Sequence, residues 1–78
     1  MAKVTIYTTP TCVYCKMTKK FFAENNVQYE ERDVVQDTAA RDEMITKSGQ
    51  MGVPVVDIDG KIIVGFDQSR LKETLGIQ

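Results

Sequence analysis

The sequence predicts one α/β domain over residues 1–78, with elements in the order β-α-β-α-β-β-α. Runs rich in β-branched residues alternate with segments of helical periodicity, which is typical of βαβ units. Asp59-Gly60 between two apolar runs predicts a β-hairpin in the second half. Because all connections are short and no repeat or linker interrupts the chain, we expect a four-stranded mixed sheet flanked by three helices.

The first element is a strand over Lys3–Thr8, whose β-branched residues predict a central position with both faces buried. A helix follows from Val13. Its predicted buried stripe contains the apolar residues at helical spacing, Val13, Met17, Phe21 and Phe22. Asn25-Asn26 ends this helix, because asparagine tolerates the left-handed conformation.

The next run, Val27–Val35, predicts a second strand. Its charged centre, Glu30 to Asp33, suits the edge of a sheet, where charges prevent wrong pairing. Joined through the first helix, the two strands are expected to be parallel. Asp37 or Thr38 then caps a second helix, which runs to about Lys47 and stops at Gly49.

The last three elements are two strands and a helix. Asp59-Gly60 joins Val55–Ile58 to Lys61–Val64 as an antiparallel pair. Asp67 is the predicted N-cap of the final helix, and Gly76 is its predicted end.

Cys12 and Cys15 lie three residues apart where the first helix begins. The free N–H groups and the dipole at a helix start favour negative charge, so they stabilise a thiolate, the form that attacks disulfides. C-x-x-C beside a βαβ pattern is therefore interpreted as a redox pair. We expect Cys12 to be the more exposed and more acidic sulfur, and Cys15 to be sheltered.

Two other interpretations of the pair are weaker. A structural disulfide would close a very short loop and constrain the unfolded chain little. A zinc site needs about four ligands, and the chain has two cysteines and no histidine. Lys16, beside the pair, has two interpretations. It is either part of a solvated face with Lys19 and Lys20, or a cation that lowers a cysteine pKa or meets an anionic substrate.

The composition excludes several classes of function. The net charge is −1, with acidic and basic residues interspersed, so we expect no nucleic-acid-binding face. No apolar run approaches the roughly 20 residues needed to span a bilayer, and no signal peptide is recognisable. We expect a cytoplasmic protein, in which a disulfide is more often catalytic than structural.

Three separated motifs carry a family resemblance: Cys12-Val13-Tyr14-Cys15, Gly52-Val53-Pro54 and Gly65-Phe66-Asp67. In this order and spacing, the chain resembles the glutaredoxins of the thioredoxin-like superfamily over nearly its whole length. It is also similar to the glutaredoxin-like reductants of ribonucleotide reductase. The resemblance implies a thioredoxin-like fold and thiol–disulfide oxidoreductase activity.

The resemblance also implies site residues. Cys12 would be the nucleophile and Cys15 the resolving cysteine. Pro54 would follow a cis peptide bond beside the pair, and the main chain of Val53 would pair with the substrate backbone. Asp67 would accept a hydrogen bond from the free amino group of glutathione and would also cap the last helix.

Tyr14 and Phe66 each have two interpretations, a wall of the substrate groove or an aromatic residue that only packs. We expect Phe66 to be a groove wall because its neighbours match the family. The chain departs from the usual glutaredoxin pattern at Thr9, Val13 and Val64, where lysine, proline and glycine are typical. These differences leave two electron donors open, glutathione and a thioredoxin reductase.

The implied substrates are proteins with disulfides, among them ribonucleotide reductase. We expect a monomer without a tightly bound cofactor or metal, with glutathione as the candidate co-substrate. The alternative function is an iron–sulfur-cluster module, in which two chains would hold the cluster with their Cys12 thiolates and bound thiols.

Overall fold

The computed structural model describes residues 3–77, and its elements follow the predicted order. The bounds are β1 Val4–Thr8, α1 Val13–Glu24, β2 Glu30–Asp33, α2 Thr38–Ser48, β3 Val55–Ile58, β4 Lys61–Val64 and α3 Gln68–Leu75. The strands form one four-stranded sheet in the order β2-β1-β3-β4. β1 is parallel to β2 and antiparallel to β3, and β4 is antiparallel to β3, so the predicted mixed sheet is confirmed.

The sheet is covered on both faces. Successive side chains of a strand point to opposite faces, so Ile6 and Tyr7 belong to different core clusters. Ile6 packs in a cluster with Phe22 of α1 and Leu71 of α3, whereas Tyr7 packs in a second cluster with Met44 of α2. All five residues of β1 are buried, which confirms its predicted central position.

The predicted buried stripe of α1 is wrong in its first turns. Val13 is 65% exposed and Met17 is 43% exposed, whereas Cys15 and Thr18 are buried. Thr18 can lie inside because its hydroxyl donates to the carbonyl of Tyr14, at 2.8 Å, and so needs no water. The helix therefore turns Cys15, Thr18, Phe21 and Phe22 toward the sheet and leaves Val13 and Met17 in solvent.

The predicted helix ends are confirmed. Asp37 caps α2 and Asp67 caps α3, since each carboxylate accepts a main-chain N–H three residues later, at 3.0 and 3.2 Å. Gly49 and Gly76 end these helices in the left-handed conformation. Asp59 and Gly60 both have positive φ, as the two-residue hairpin turn requires.

β2 lies at the predicted edge of the sheet but is shorter than the predicted strand. Its first expected residue, Val27, instead donates its N–H to the carbonyl of Phe22, at 2.8 Å, and so closes the end of α1. The strand ends at Asp33, whose side chain accepts a hydrogen bond from the N–H of Val35 at 2.8 Å. This contact turns the chain away from the sheet.

Candidate active site

The two cysteines lie at the start of α1, directly after the loop that leaves the central strand. Cys12 is the N-cap of the helix, and its N–H donates to the carbonyl of Thr9 at 3.3 Å. Cys12 and Cys15 are joined by a disulfide, with their Cα atoms 5.2 Å apart. The main chain therefore holds both sulfurs on the first helical turn.

The two sulfurs have different surroundings. Cys15 is 1% exposed, whereas Cys12 is only partly buried, as expected from the sequence. The main-chain N–H of Cys15 donates to Sγ of Cys12 at 3.0 Å. This donor would stabilise negative charge on that sulfur after reduction, together with the positive end of the helix dipole. The geometry thus offers one accessible sulfur in an electropositive place and one sheltered sulfur beside it.

The strand register brings the other two motifs to the same end of the sheet. Val55 lies opposite both Tyr7 and Val64. The residues next to these three, Thr8, Pro54 and Gly65, therefore lie at the same end of the sheet, where the loop to Cys12 also begins. The three motifs that carry the resemblance converge there, although up to 55 residues separate Cys12 from Asp67.

The peptide bond between Val53 and Pro54 is cis, as the resemblance implied, and Pro54 is buried. The carbonyl of Pro54 accepts the N–H of Gly65 at 2.8 Å, which joins this loop to the end of β4. Within residues 3–77, no hydrogen bond occupies the N–H or the carbonyl of Val53. That main-chain segment is available to an extended peptide.

The remaining predicted site residues differ in exposure. Tyr14 is 61% exposed, so its ring is a surface feature of the first helical turn. Phe66 is partly buried and meets Phe21 edge-on, with ring centroids 6.1 Å apart. One side of Phe66 therefore belongs to the core, and only its other side can line a groove. Asp67 is exposed.

Sequence reasoning missed a polar network on the α2 face of the sheet. The buried Tyr7 hydroxyl donates to Glu43 at 2.9 Å, and Lys47 contacts both of these residues and Asp57. Burial and the Glu43 carboxylate raise the pKa of Tyr7. The hydrogen bonds from Lys47 and Tyr7 lower the pKa of Glu43, and the bond to Asp57 is the main cause that raises the pKa of Lys47. Only the i,i+4 spacing of Glu43 and Lys47 was visible beforehand.

A second polar contact anchors α1 to the sheet edge. The Glu31 carboxylate accepts hydrogen bonds from Lys19 at 2.9 Å and from the buried Thr8 hydroxyl at 2.8 Å. These bonds, that of Lys19 first, hold the pKa of Glu31 below its ordinary value. Lys19 is therefore committed to an ion pair and is not part of a merely solvated face.

Within residues 3–77, no helix has the length and apolar character needed to cross a bilayer. No cluster of three or more acidic or cysteine side chains in the same range has a metal-binding arrangement.

Comparison with known proteins identifies relatives over almost the whole chain. A family model described as Glutaredoxin matches residues 4–63. A glutaredoxin-like 8.6 kDa protein of the rubredoxin operon of Clostridium pasteurianum is 42% identical, and the match covers 92% of this chain and 96% of that protein. Glutaredoxin 3 of Escherichia coli K12 is 40% identical, over 86% of this chain and 81% of that protein. Among solved structures, a variant of the thioredoxin-like protein BC3987 is 38% identical, with a TM-score of 0.93 and full coverage of both chains.

Proposed function

Because the chain belongs to the glutaredoxin family, whose members are thiol–disulfide oxidoreductases, we propose that Cys12 is its nucleophile and Cys15 its resolving cysteine. The observation that carries this assignment is the asymmetry of the pair. Cys12 is the partly exposed sulfur that receives an N–H, and Cys15 is the buried one. The first attack on a bulky protein disulfide requires access, whereas resolution within the chain does not.

The reaction consists of two thiol–disulfide exchanges. The Cys12 thiolate attacks one sulfur of the substrate disulfide, a mixed disulfide forms, and the other substrate sulfur leaves as a thiolate that takes a proton. Cys15 then loses its proton and attacks Cys12, which releases the second substrate thiol. The substrate gains two electrons, and the protein is left with the Cys12–Cys15 disulfide seen in this structure.

The substrate groove is proposed to lie between the helix start and the cis-proline loop. The unoccupied main chain of Val53 would pair with the backbone next to the substrate cysteine, beside Pro54. Tyr14 and the outer side of Phe66 would form the walls. Asp67 would receive the amino group of glutathione, since its second carboxylate oxygen makes no hydrogen bond within the described residues.

The proposed substrates are proteins with accessible disulfides, ribonucleotide reductase among them, and the proposed electron donor is glutathione or a thioredoxin reductase. We propose that the protein acts as a monomer in the cytoplasm, where the reduced thiol pool suits a pair that must be returned to thiols.

The decisive experiment compares wild type, Cys12→Ser and Cys15→Ser in a disulfide-reduction assay. Oxidised wild type is offered either glutathione with glutathione reductase or thioredoxin reductase with NADPH, and the pair that turns over identifies the donor. Cys12→Ser should lose turnover completely, whereas Cys15→Ser should accumulate the mixed disulfide. Full activity of Cys12→Ser would refute the assignment. A coloured, dimeric protein after anaerobic purification would indicate the iron–sulfur alternative instead.

A further inference from the structure

The exposed side of α1 beside Cys12 has an unusual composition. Val13, Lys16, Met17 and Lys20 follow the spacing i, i+3, i+4 and i+7, so they form one stripe along the helix. All four are exposed, including the two apolar residues that the sequence pattern assigned to the core. We call these four residues the α1 stripe.

The two lysines of the α1 stripe carry unneutralised charge. Lys19 is paired with Glu31 at 2.9 Å, but neither Lys16 nor Lys20 forms an ion pair with a residue in the range 3–77. The single acidic residue of α1, Glu24, lies at the end of the helix farthest from Cys12. The stripe therefore presents positive charge around exposed apolar side chains.

The α1 stripe is within reach of a substrate bound at Cys12. Val13 follows the nucleophile directly, and the N–H of Lys16 donates to the carbonyl of Cys12 at 3.3 Å. At about 1.5 Å per residue, the stripe extends roughly 12 Å along the helix from Cys12 to Lys20. An extended peptide covers that length with about four residues.

We propose that the α1 stripe is a docking surface for a disulfide-bearing protein segment with an apolar residue beside its reactive cysteine and acidic residues within about four positions of it. The apolar residue would cover Val13 and Met17, and the carboxylates would approach Lys16 and Lys20. This inference rests on the proposed disulfide reductase function and adds the chemistry of the preferred substrate.

The test measures single-turnover rate constants, so that no reductant has to be chosen. Reduced protein is mixed with an excess of oxidised substrate, quenched with acid, and analysed by chromatography. The probes are two cyclic peptides with one disulfide and a leucine beside it, one flanked by glutamates and one by lysines. Bis(2-hydroxyethyl) disulfide is the small neutral probe, which has neither carboxylates for Lys16 and Lys20 nor an apolar side chain to cover Val13 and Met17.

Wild type should react about tenfold faster with the glutamate peptide than with the lysine peptide at low salt, and the difference should shrink in about 0.5 M salt. With the glutamate peptide, the rate constant of the Lys16→Gln/Lys20→Gln variant should be lower than that of wild type by roughly threefold per lysine, or about tenfold in all. Its rate with the neutral probe should stay within about twofold, because only docking is changed. Met17→Ser should slow the reaction with both peptides but not with the neutral probe.

The matched control removes two other exposed lysines that form no ion pair within residues 3–77, by Lys3→Gln/Lys61→Gln. Lys3 directly precedes Val4, which lies opposite Ile58. Lys61 lies opposite Ile58, at the other end of the sheet from Pro54, so this variant should behave as wild type. Equal rates for the two peptides, or the same loss in both double variants, would overturn the docking proposal. Failure of reduced wild type to react with any of the three probes would instead overturn the proposed function.

Discussion

Asp67 is proposed to have two roles, and suitable substitutions can separate them. In Asp67→Asn, the amide oxygen can still accept the N–H of Arg70, but the negative charge is lost. In Asp67→Ala, both the cap and the charge are lost. We therefore expect the stability of Asp67→Asn to be close to wild type and that of Asp67→Ala to fall, whereas both variants should react more slowly with glutathione.

The magnitudes follow from the exposure and hydrogen bonding of the side chain. Loss of one N-cap costs about 1 kcal/mol, which lowers Tm by roughly 4–8 °C in a domain of this size. A charge-assisted hydrogen bond contributes about 1.5–3 kcal/mol when shielded from water. Because Asp67 is exposed, we take about 1 kcal/mol, the upper value for an exposed ion pair, which corresponds to a roughly fivefold slower reduction by glutathione.

The assay measures the rate constant for reduction of the Cys12–Cys15 disulfide by glutathione and by N-acetylglutathione, which lacks the ammonium group. The rate constant of wild type should be about fivefold lower with the acetylated thiol than with glutathione. That of Asp67→Asn should differ little between the two thiols, since the interaction is already gone. Asp37→Ala removes the equivalent cap of α2 and serves as the control with lowered Tm and unchanged glutathione rate. An Asp67→Asn variant as fast as wild type with glutathione would refute the reasoning.

Two further predictions concern stability measured by urea unfolding. Hydrogen bonds from Lys47 and Tyr7 hold the pKa of Glu43 below its ordinary value. The Glu43 carboxylate therefore contributes stability above about pH 4.3, and this contribution is lost as pH falls through its folded-state pKa. Glu43→Gln should therefore lower stability at pH 7 and flatten its fall in acid. As a control, substitution of the exposed Glu73 by Gln should leave stability at pH 7 unchanged. Phe22→Ala should cost about 3–5 kcal/mol but Met17→Ala less than about 0.5, and equal losses would contradict the observed orientation of α1.

The parts of the fold that were predictable are those with local causes. The hairpin at Asp59-Gly60 and the helix end at Gly49 require main-chain conformations that few residues tolerate. The residue types at these positions were therefore enough to predict the turn and the helix end. The caps Asp37 and Asp67 are local in the same sense. For the candidate site, C-x-x-C at a helix start also has a local electrostatic meaning, and the structure supplies the expected N–H beside Cys12.

The parts that were not predictable depend on distant contacts or on exceptions to residue type. A hydrophobic pattern could not show that Thr18 is buried, because its hydroxyl is satisfied by a carbonyl of its own helix. The same pattern placed Met17 in the core, where Thr18 and Cys15 lie instead. The hydrogen bond from Tyr7 to Glu43 joins residues 36 positions apart, and the sequence around either residue does not identify its partner.

Cys12 can be the nucleophile only if its sulfur is ionised and accessible near neutral pH. In a reduced Cys15→Ser variant, which keeps the N–H donor and leaves one thiol, the rate of alkylation by iodoacetamide is measured against pH. We expect a pKa of Cys12 clearly below the value of about 8.5 for a free cysteine, with rapid alkylation at pH 7. A pKa at or above that value, or a thiol that alkylates only in the unfolded protein, would contradict this expectation.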